Sequence, residues 1–167
     1  DGAGSKLIGN VIDIGNMAKK GIRTAGGTEP YSGGMLHGNL ITGGMEAVNS
    51  RAGDSITNNT FYDNAKGVVH KAMAGALDIT AVSDNIFLGH DAGSYGIYVD
   101  ASAASALLVN DFNCFWSLAG AMTSPVYQGM ASGGAIVLGA NSIEADPLLT
   151  SDYRSRNAQV LRGGRAD

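Results

Sequence analysis

Five short segments of the chain repeat one arrangement of polar and apolar positions. Each has an asparagine followed, after one intervening residue, by Ile or Phe, and four of them have an aliphatic residue three positions before the asparagine. The asparagines are Asn10, Asn39, Asn59, Asn85 and Asn113, at spacings of 29, 20, 26 and 28 residues. Alternate side chains of a strand face the same way, so a strand leaving each asparagine points the Ile or Phe inward. Repeats at this interval predict a coil that winds once per repeat, with parallel strands in successive turns.

The repeated asparagine is expected at the corner between two strands. Asparagine tolerates the left-handed backbone conformation that a tight bend needs, and its amide can bond to the amide of the next turn. The fifth repeat departs from the pattern, because Asn110 stands where the other repeats have an aliphatic residue. Val109 fits that position only if one residue, Phe112, is inserted.

A third strand per turn is predicted where a small residue precedes an aliphatic run, as in Gly67-Val68 and Gly96-Ile97. If the first aliphatic residue faces inward, the residue after it faces outward. The first outward column then comprises Arg23, Asn49, Val69, Tyr98 and Tyr127, and the second comprises Arg51, Lys71 and Asp100. His70 is expected to face inward, which favours a hydrogen-bonded core residue over a catalytic one.

Composition and charge narrow the class of protein. Glycine makes up 25 of 167 residues and is spread along the chain, which favours many turns and little helix. The formal net charge is -4 and the 11 basic residues are scattered, so a nucleic-acid partner is not expected. No run of 18 apolar residues predicts a membrane span.

The domain organisation follows from where the repeats end. We expect β-helix rungs over residues 1–140 and an irregular exit segment over 141–167, in one all-β domain of about five to six rungs. The chain begins at Asp1 with neither Met nor a signal segment. This start suggests a piece of a longer protein.

The chain resembles the right-handed parallel β-helix proteins of the pectate-lyase-like superfamily. The resemblance lies in the Asn-x-(Ile/Phe) segments, the Gly-Ile and Gly-Val strand starts, residues 111–116 and the closing residues 145–154. Superfamily members include polysaccharide lyases, glycoside hydrolases, phage tailspikes and bacterial surface adhesins. The resemblance implies a single-stranded right-handed parallel β-helix, an extracellular, cell-surface or virion-associated location, and a polysaccharide or glycan as partner.

Two kinds of catalytic chemistry are open. A lyase would use Arg23, Arg51 or Lys71 to neutralise a uronate, with Tyr98 or His70 as the base; an ordinary solvated strand face would show similar residues. A hydrolase would need two carboxylates, and Asp84 and Asp111 would stack about 5 Å apart if Phe112 is an insertion. These two residues could equally be turn-forming aspartates.

Cofactor chemistry has weaker support in the sequence. Asp100 is the other acid of the candidate face, and no third acid joins Asp84 and Asp111 into a clear Ca²⁺ site. No cofactor or metal is therefore assigned. Tyr98 and Tyr127 could offer flat apolar faces to sugar rings, or pack under a loop.

Two functions of different classes remain. The first is a carbohydrate-recognising or polysaccharide-processing domain of lyase or hydrolase type, in which Asp84, Asp111, Asp100 and Lys71 are the candidate catalytic residues. Its candidate substrate-binding residues are Arg23, Asn49, Arg51, Tyr98 and Tyr127. The second is a non-catalytic structural shaft of a trimeric phage tailspike or surface adhesin. Whether the chain is an enzyme is left open by the sequence.

Overall fold

A computed structural model of the chain describes residues 5–24, 33–50, 53–70, 80–99, 108–128, 139–157 and 160. Within these residues it contains fourteen strands. In chain order they are β1 (Lys6–Ile8), β2 (Val11–Arg23), β3 (Met35–His37), β4 (Leu40–Ser50), β5 (Ser55–Thr57), β6 (Thr60–Asn64), β7 (Lys66–His70), β8 (Thr80–Ser83), β9 (Ile86–Gly89), β10 (Tyr95–Val99), β11 (Leu108–Asp111), β12 (Cys114–Ser117), β13 (Val126–Gln128) and β14 (Ile143–Glu144).

The strands form three parallel stacks that wind into a β-solenoid. The first stack is β1-β3-β5-β8-β11. The second contains the first halves of β2 and β4 followed by β6, β9, β12 and β14, and the third contains their second halves followed by β7, β10 and β13. The predicted all-β parallel solenoid is therefore confirmed. Its five asparagine corners bound about four turns, fewer than the five to six rungs expected.

The repeated asparagines form a ladder at the corner between the first and second stacks. The Nδ2 group of each asparagine donates to the Oδ1 atom of the next, at 2.9–3.1 Å. The backbone N–H of each of the first four asparagines donates to the same Oδ1 atom. Asn39, Asn59, Asn85 and Asn113 are buried, so these bonds satisfy groups that water cannot reach. The predicted bonding between amides of successive turns is confirmed.

The left-handed residue of this corner precedes the asparagine, contrary to expectation. The positions with positive φ are Gly9, Gly38, Asn58, Asp84 and Phe112. The bend is thus made one residue earlier, and the asparagine itself is free to aim its amide along the ladder.

The expected insertion of Phe112 is wrong. The first stack pairs Val109 with Ala81 and Asn110 with Val82, so the fifth repeat keeps the register of the fourth. Phe112 is a regular corner residue at φ 54°, and Asn110 takes the position that other turns give to an aliphatic residue.

A second corner joins the second and third stacks. Its left-handed residues are Gly15, Gly43 and Asp63. The next residue in the third turn, Asn64, is buried and donates its Nδ2 to the carbonyl groups of Ile41 and Tyr62 while its Oδ1 accepts from the backbone of Gly44. Asn64 therefore does at this corner what the ladder asparagines do at the first.

The interior is filled by the residues two places after the ladder asparagines. The rings of Phe61 and Phe87 stack with centroids 4.7 Å apart, and those of Phe87 and Phe115 with centroids 5.1 Å apart. All three rings are fully buried. The predicted inward direction of these positions is confirmed, and the stack gives the solenoid a continuous apolar axis.

The C-terminal residues fold back over the second stack. Strand β14 pairs with β12, and Leu149 bridges to Ser155 in a turn that follows. Tyr153 of this turn meets Tyr62 of β6 edge to face, with ring centroids 5.0 Å apart. The turn thus places an aromatic ring over the outer face of the solenoid.

Candidate functional site

The third stack places the predicted outward column side by side. Strand pairing aligns Arg23 with Asn49, Asn49 with Val69, Val69 with Tyr98, and Tyr98 with Tyr127. The predicted register of this column is confirmed. The substrate-binding role of its members remains a prediction.

Solvent reaches only some members of the column. Arg23 is exposed and the two tyrosines are half-buried, whereas Asn49 and Val69 are buried. The Nδ2 group of Asn49 donates to Oε2 of Glu46 at 3.0 Å, and the same oxygen lies 2.9 Å from the Lys20 ammonium. The Asn49 amide is therefore engaged within the chain, and the tyrosines are the better placed groups for a ligand.

Three tyrosines and one lysine form a compact surface on this stack, which we call the tyrosine surface: Tyr95, Tyr98, Tyr127 and Lys66. The rings of Tyr98 and Tyr127 are stacked, with centroids 4.8 Å apart and planes inclined by 19°. Tyr95 lies 5.4 Å from Tyr98 and 5.3 Å from Tyr127, centroid to centroid. The Lys66 ammonium lies 3.9 Å from the centroid of the Tyr98 ring.

Two members of the tyrosine surface were not predicted from the sequence. Lys66 and Tyr95 are paired residues that each directly precede the glycine opening a third-stack strand. That glycine was the available signal, because the residue before it occupies the same place in successive turns. Outward columns counted only from the first aliphatic residue overlook this position.

The two candidate carboxylates of the first corner do not stack as expected. Asp111 pairs with Ser83, the residue before Asp84, so the two aspartates occupy different positions of the repeat. Both follow the first stack, whereas the tyrosine surface lies on the third. The structure therefore does not bring Asp84 and Asp111 together with Tyr98 and Tyr127.

Asp111 is held in its charged form by its neighbours. Its Oδ1 accepts from the backbone of Asn141 and of Phe112, and its Oδ2 accepts from the Asn141 side chain at 2.8 Å. Burial acts to raise the pKa of Asp111, but these hydrogen bonds outweigh it and the pKa is lowered overall. A carboxylate of this kind is a poor proton donor.

Three candidate residues, Arg51, Lys71 and Asp100, lie outside the described residues. Their predicted roles in catalysis or substrate binding remain predictions.

His70 faces the interior, as expected. Pairing aligns it with Ser50 on one side and Val99 on the other, and it is 1% exposed. Its Nδ1 atom has no hydrogen-bond partner among the described residues. Asp54, which the sequence did not single out, is also buried and accepts hydrogen bonds from the hydroxyl groups of Thr24 and Ser50 and from the backbone of Gly34.

The burial of His70 predicts a pH-dependent stability. Burial lowers the pKa of His70 to about 4, against the opposing charge of Asp54. The unfolded chain therefore takes up a proton between pH 6.5 and about 4 that the folded chain does not. The free energy of unfolding should be unaffected by this group above pH 6.5 and fall as the pH drops through that window, by up to about 3 kcal/mol. Urea unfolding at pH 7 and pH 4.5 measures the fall.

The matched variants for this measurement are His70→Leu and His37→Gln. The first removes the titrating group and should lose most of the fall, whereas the second keeps His70 and should behave as the wild type. An equal fall in His70→Leu and wild type would contradict the assignment.

Across the described parts of the chain, no group of three or more His, Cys, Asp or Glu side chains could hold a metal ion. No helix within them is long and apolar enough to cross a membrane. No protein-family model, curated protein or solved structure matches the chain. The parallel β-solenoid and the tyrosine surface are therefore the evidence on which a functional proposal rests.

Proposed function

We propose that the chain binds a polysaccharide or other glycan on the tyrosine surface, as an extracellular or surface-associated module related to the pectate-lyase-like β-helix proteins. The observation that carries the proposal is the stacked pair Tyr98 and Tyr127, with the Lys66 ammonium beside it. Aromatic faces accept the apolar faces of sugar rings, and the phenolic hydroxyl groups can bond to sugar hydroxyl groups.

The arrangement of the surface suits an extended sugar chain. Tyr98 and Tyr127 come from adjacent turns, so the pair lies along the solenoid axis, about 4.8 Å per turn. Lys66 adds a positive charge that favours a ligand with carboxylate or sulfate groups. Recognition is favoured over cleavage, because the described candidate carboxylates Asp84 and Asp111 lie away from this stack.

The test removes the two stacked rings. Tyr98→Ala/Tyr127→Ala should weaken binding of a matching glycan at least tenfold, because base-like stacking of each ring face is lost with the ring. Binding is screened with neutral and uronic-acid tetrasaccharides and measured by isothermal titration calorimetry. Circular dichroism and thermal melting report whether the variant remains folded.

The matched control is Tyr98→Phe/Tyr127→Phe, which retains both rings and removes both hydroxyl groups. It should keep most of the affinity. Unchanged binding in the alanine variant would refute the tyrosine surface as the site, and the absence of binding to every tetrasaccharide by the wild type would refute the proposal.

A non-catalytic shaft of a trimeric tailspike or adhesin is the second candidate. It is favoured by the first turn, where Ile8 and Val11 are 54% and 76% exposed and the edges of β1 and β2 are available for pairing. Size-exclusion chromatography with light scattering tests it. A stable trimer without glycan binding would support the shaft, and a monomer that binds a tetrasaccharide would support the first proposal.

A further inference from the structure

A small cavity lies outside the second stack, next to the second corner. It has a volume of about 290 Å³, and its lining includes Asp13, Asn16, Thr42, Tyr62, Asp63 and Tyr153. Asp13, Thr42 and Tyr62 are paired residues of three successive turns. The cavity is thus bounded by the outer face of β2, β4 and β6 and by the C-terminal turn that carries Tyr153. It is on a different stack from the tyrosine surface.

Two carboxylates give the cavity a negative charge. Oδ1 of Asp13 accepts from the Thr42 hydroxyl at 3.1 Å, and Oδ1 of Asp63 lies 2.7 Å from Nδ1 of His90. The Oδ2 atom of each carboxylate has no hydrogen-bond or ion-pair partner within the described ranges. No lysine, arginine or histidine is among the described residues that line the cavity. A cationic group entering it would therefore find two acceptors in place.

Two aromatic rings form another part of the lining. Tyr62 and Tyr153 meet edge to face, at 5.0 Å between centroids and 76° between planes. Such rings attract a cation through their faces and also accept the apolar face of a sugar ring. The hydroxyl of Thr42 and the amide of Asn16 add groups that can bond to ligand hydroxyl groups.

We propose that this cavity binds one unit of a protonated amino sugar, with its ammonium group at Asp13 and Asp63 and its ring against Tyr62 and Tyr153. A volume of about 290 Å³ lies at the lower end of the range for small-molecule sites, about 300–1,000 Å³. That size suits a single sugar unit. The combination of carboxylates, aromatic rings and uncharged polar groups matches a ligand that is cationic, ring-shaped and rich in hydroxyl groups.

The experiment titrates the whole chain with a tetramer of glucosamine and, separately, with the tetramer of N-acetylglucosamine, by isothermal titration calorimetry. The N-acetyl tetramer has the same backbone but lacks the positive charges. We expect the glucosamine tetramer to bind at least tenfold more tightly. Asp13→Asn and Asp63→Asn should each weaken its binding about tenfold, because each removes a negative charge that faces the ligand. Asparagine tolerates the positive φ of Asp63, so both variants should fold.

Asp84→Asn is the matched control. It changes the net charge by the same amount at an exposed residue with positive φ on the other corner, and it should alter the affinity less than twofold. A tetralysine peptide supplies the same charges without sugar rings and should bind at least tenfold more weakly. Equal losses in Asp84→Asn and Asp63→Asn, equal binding of the N-acetyl tetramer, or equal binding of tetralysine would each overturn the proposal. So would failure of the wild type to bind the glucosamine tetramer.

Discussion

Replacing Gly96 by alanine should destabilise the solenoid by about 3 kcal/mol, which would lower the melting temperature by roughly 6–12 °C. A Cβ atom at Gly96 would lie 2.4 Å from two ring carbons of Phe115 and 3.1 Å from Cγ of Phe87. These rings are fixed between one another in the buried stack, so neither can move aside without opening a gap elsewhere. Differential scanning calorimetry or urea unfolding measures the loss.

The control for this substitution is Gly93→Ala, three residues earlier. A Cβ atom there meets only the Asp91 carboxylate, at 3.4 Å, and the change in stability should stay below about 1 kcal/mol. A compensating variant sharpens the test. Gly96→Ala combined with Phe115→Leu should be more stable than the sum of the two single changes predicts, since the smaller side chain makes room for the methyl group. Strict additivity would show that the two residues do not compete for the same space.

Asn59→Leu should lower the free energy of unfolding by about 4 kcal/mol. The Asn59 side chain accepts from the backbone and side-chain amides of Asn39 and donates to the carbonyl of Leu36, the carbonyl of Thr57 and Oδ1 of Asn85. Leucine has a similar volume but leaves these groups without that partner inside the protein. Each buried polar group left unpaired costs about 1–3 kcal/mol. Urea unfolding followed by circular dichroism measures the change.

Asn58→Gly is the neighbouring control. Asn58 is exposed and has a positive φ of 56°, so glycine fits its backbone at least as well and the stability should change by less than about 1 kcal/mol. Comparable losses at the two positions would mean that the ladder amides contribute no more than the corner backbone does.

The parts of the fold that repeat were accessible from the sequence. The ladder asparagines, the inward phenylalanines and the register of Tyr98 with Tyr127 each occur at a similar place in every turn, so one period predicts them all. The exact corner residue was not accessible in this way. Gly9, Asn58, Asp84 and Phe112 share a backbone conformation but no side-chain chemistry, and for that reason Phe112 was misread as an insertion.

The parts of the candidate sites that do not repeat required the structure. The second corner is marked by an asparagine pattern only at Asp63-Asn64, since neighbouring turns have Gly43-Gly44 or Gly15-Asn16 at the equivalent place. The contact of Tyr153 with Tyr62 joins positions far apart in the chain. Hydrophobic periodicity carries no information about such a pairing, because the C-terminal turn lies outside the repeat.

The asparagine ladder gives the solenoid an electrical direction. Every link runs the same way, with the N–H groups of one asparagine pointing to the oxygen of the next, from Asn10 to Asn113. The amide dipoles therefore add along the axis, as peptide dipoles do in an α-helix. Their negative pole lies at the first turn and their positive pole at the last. A charge placed at one end of the molecule should thus be stabilised where the same charge at the other end is not.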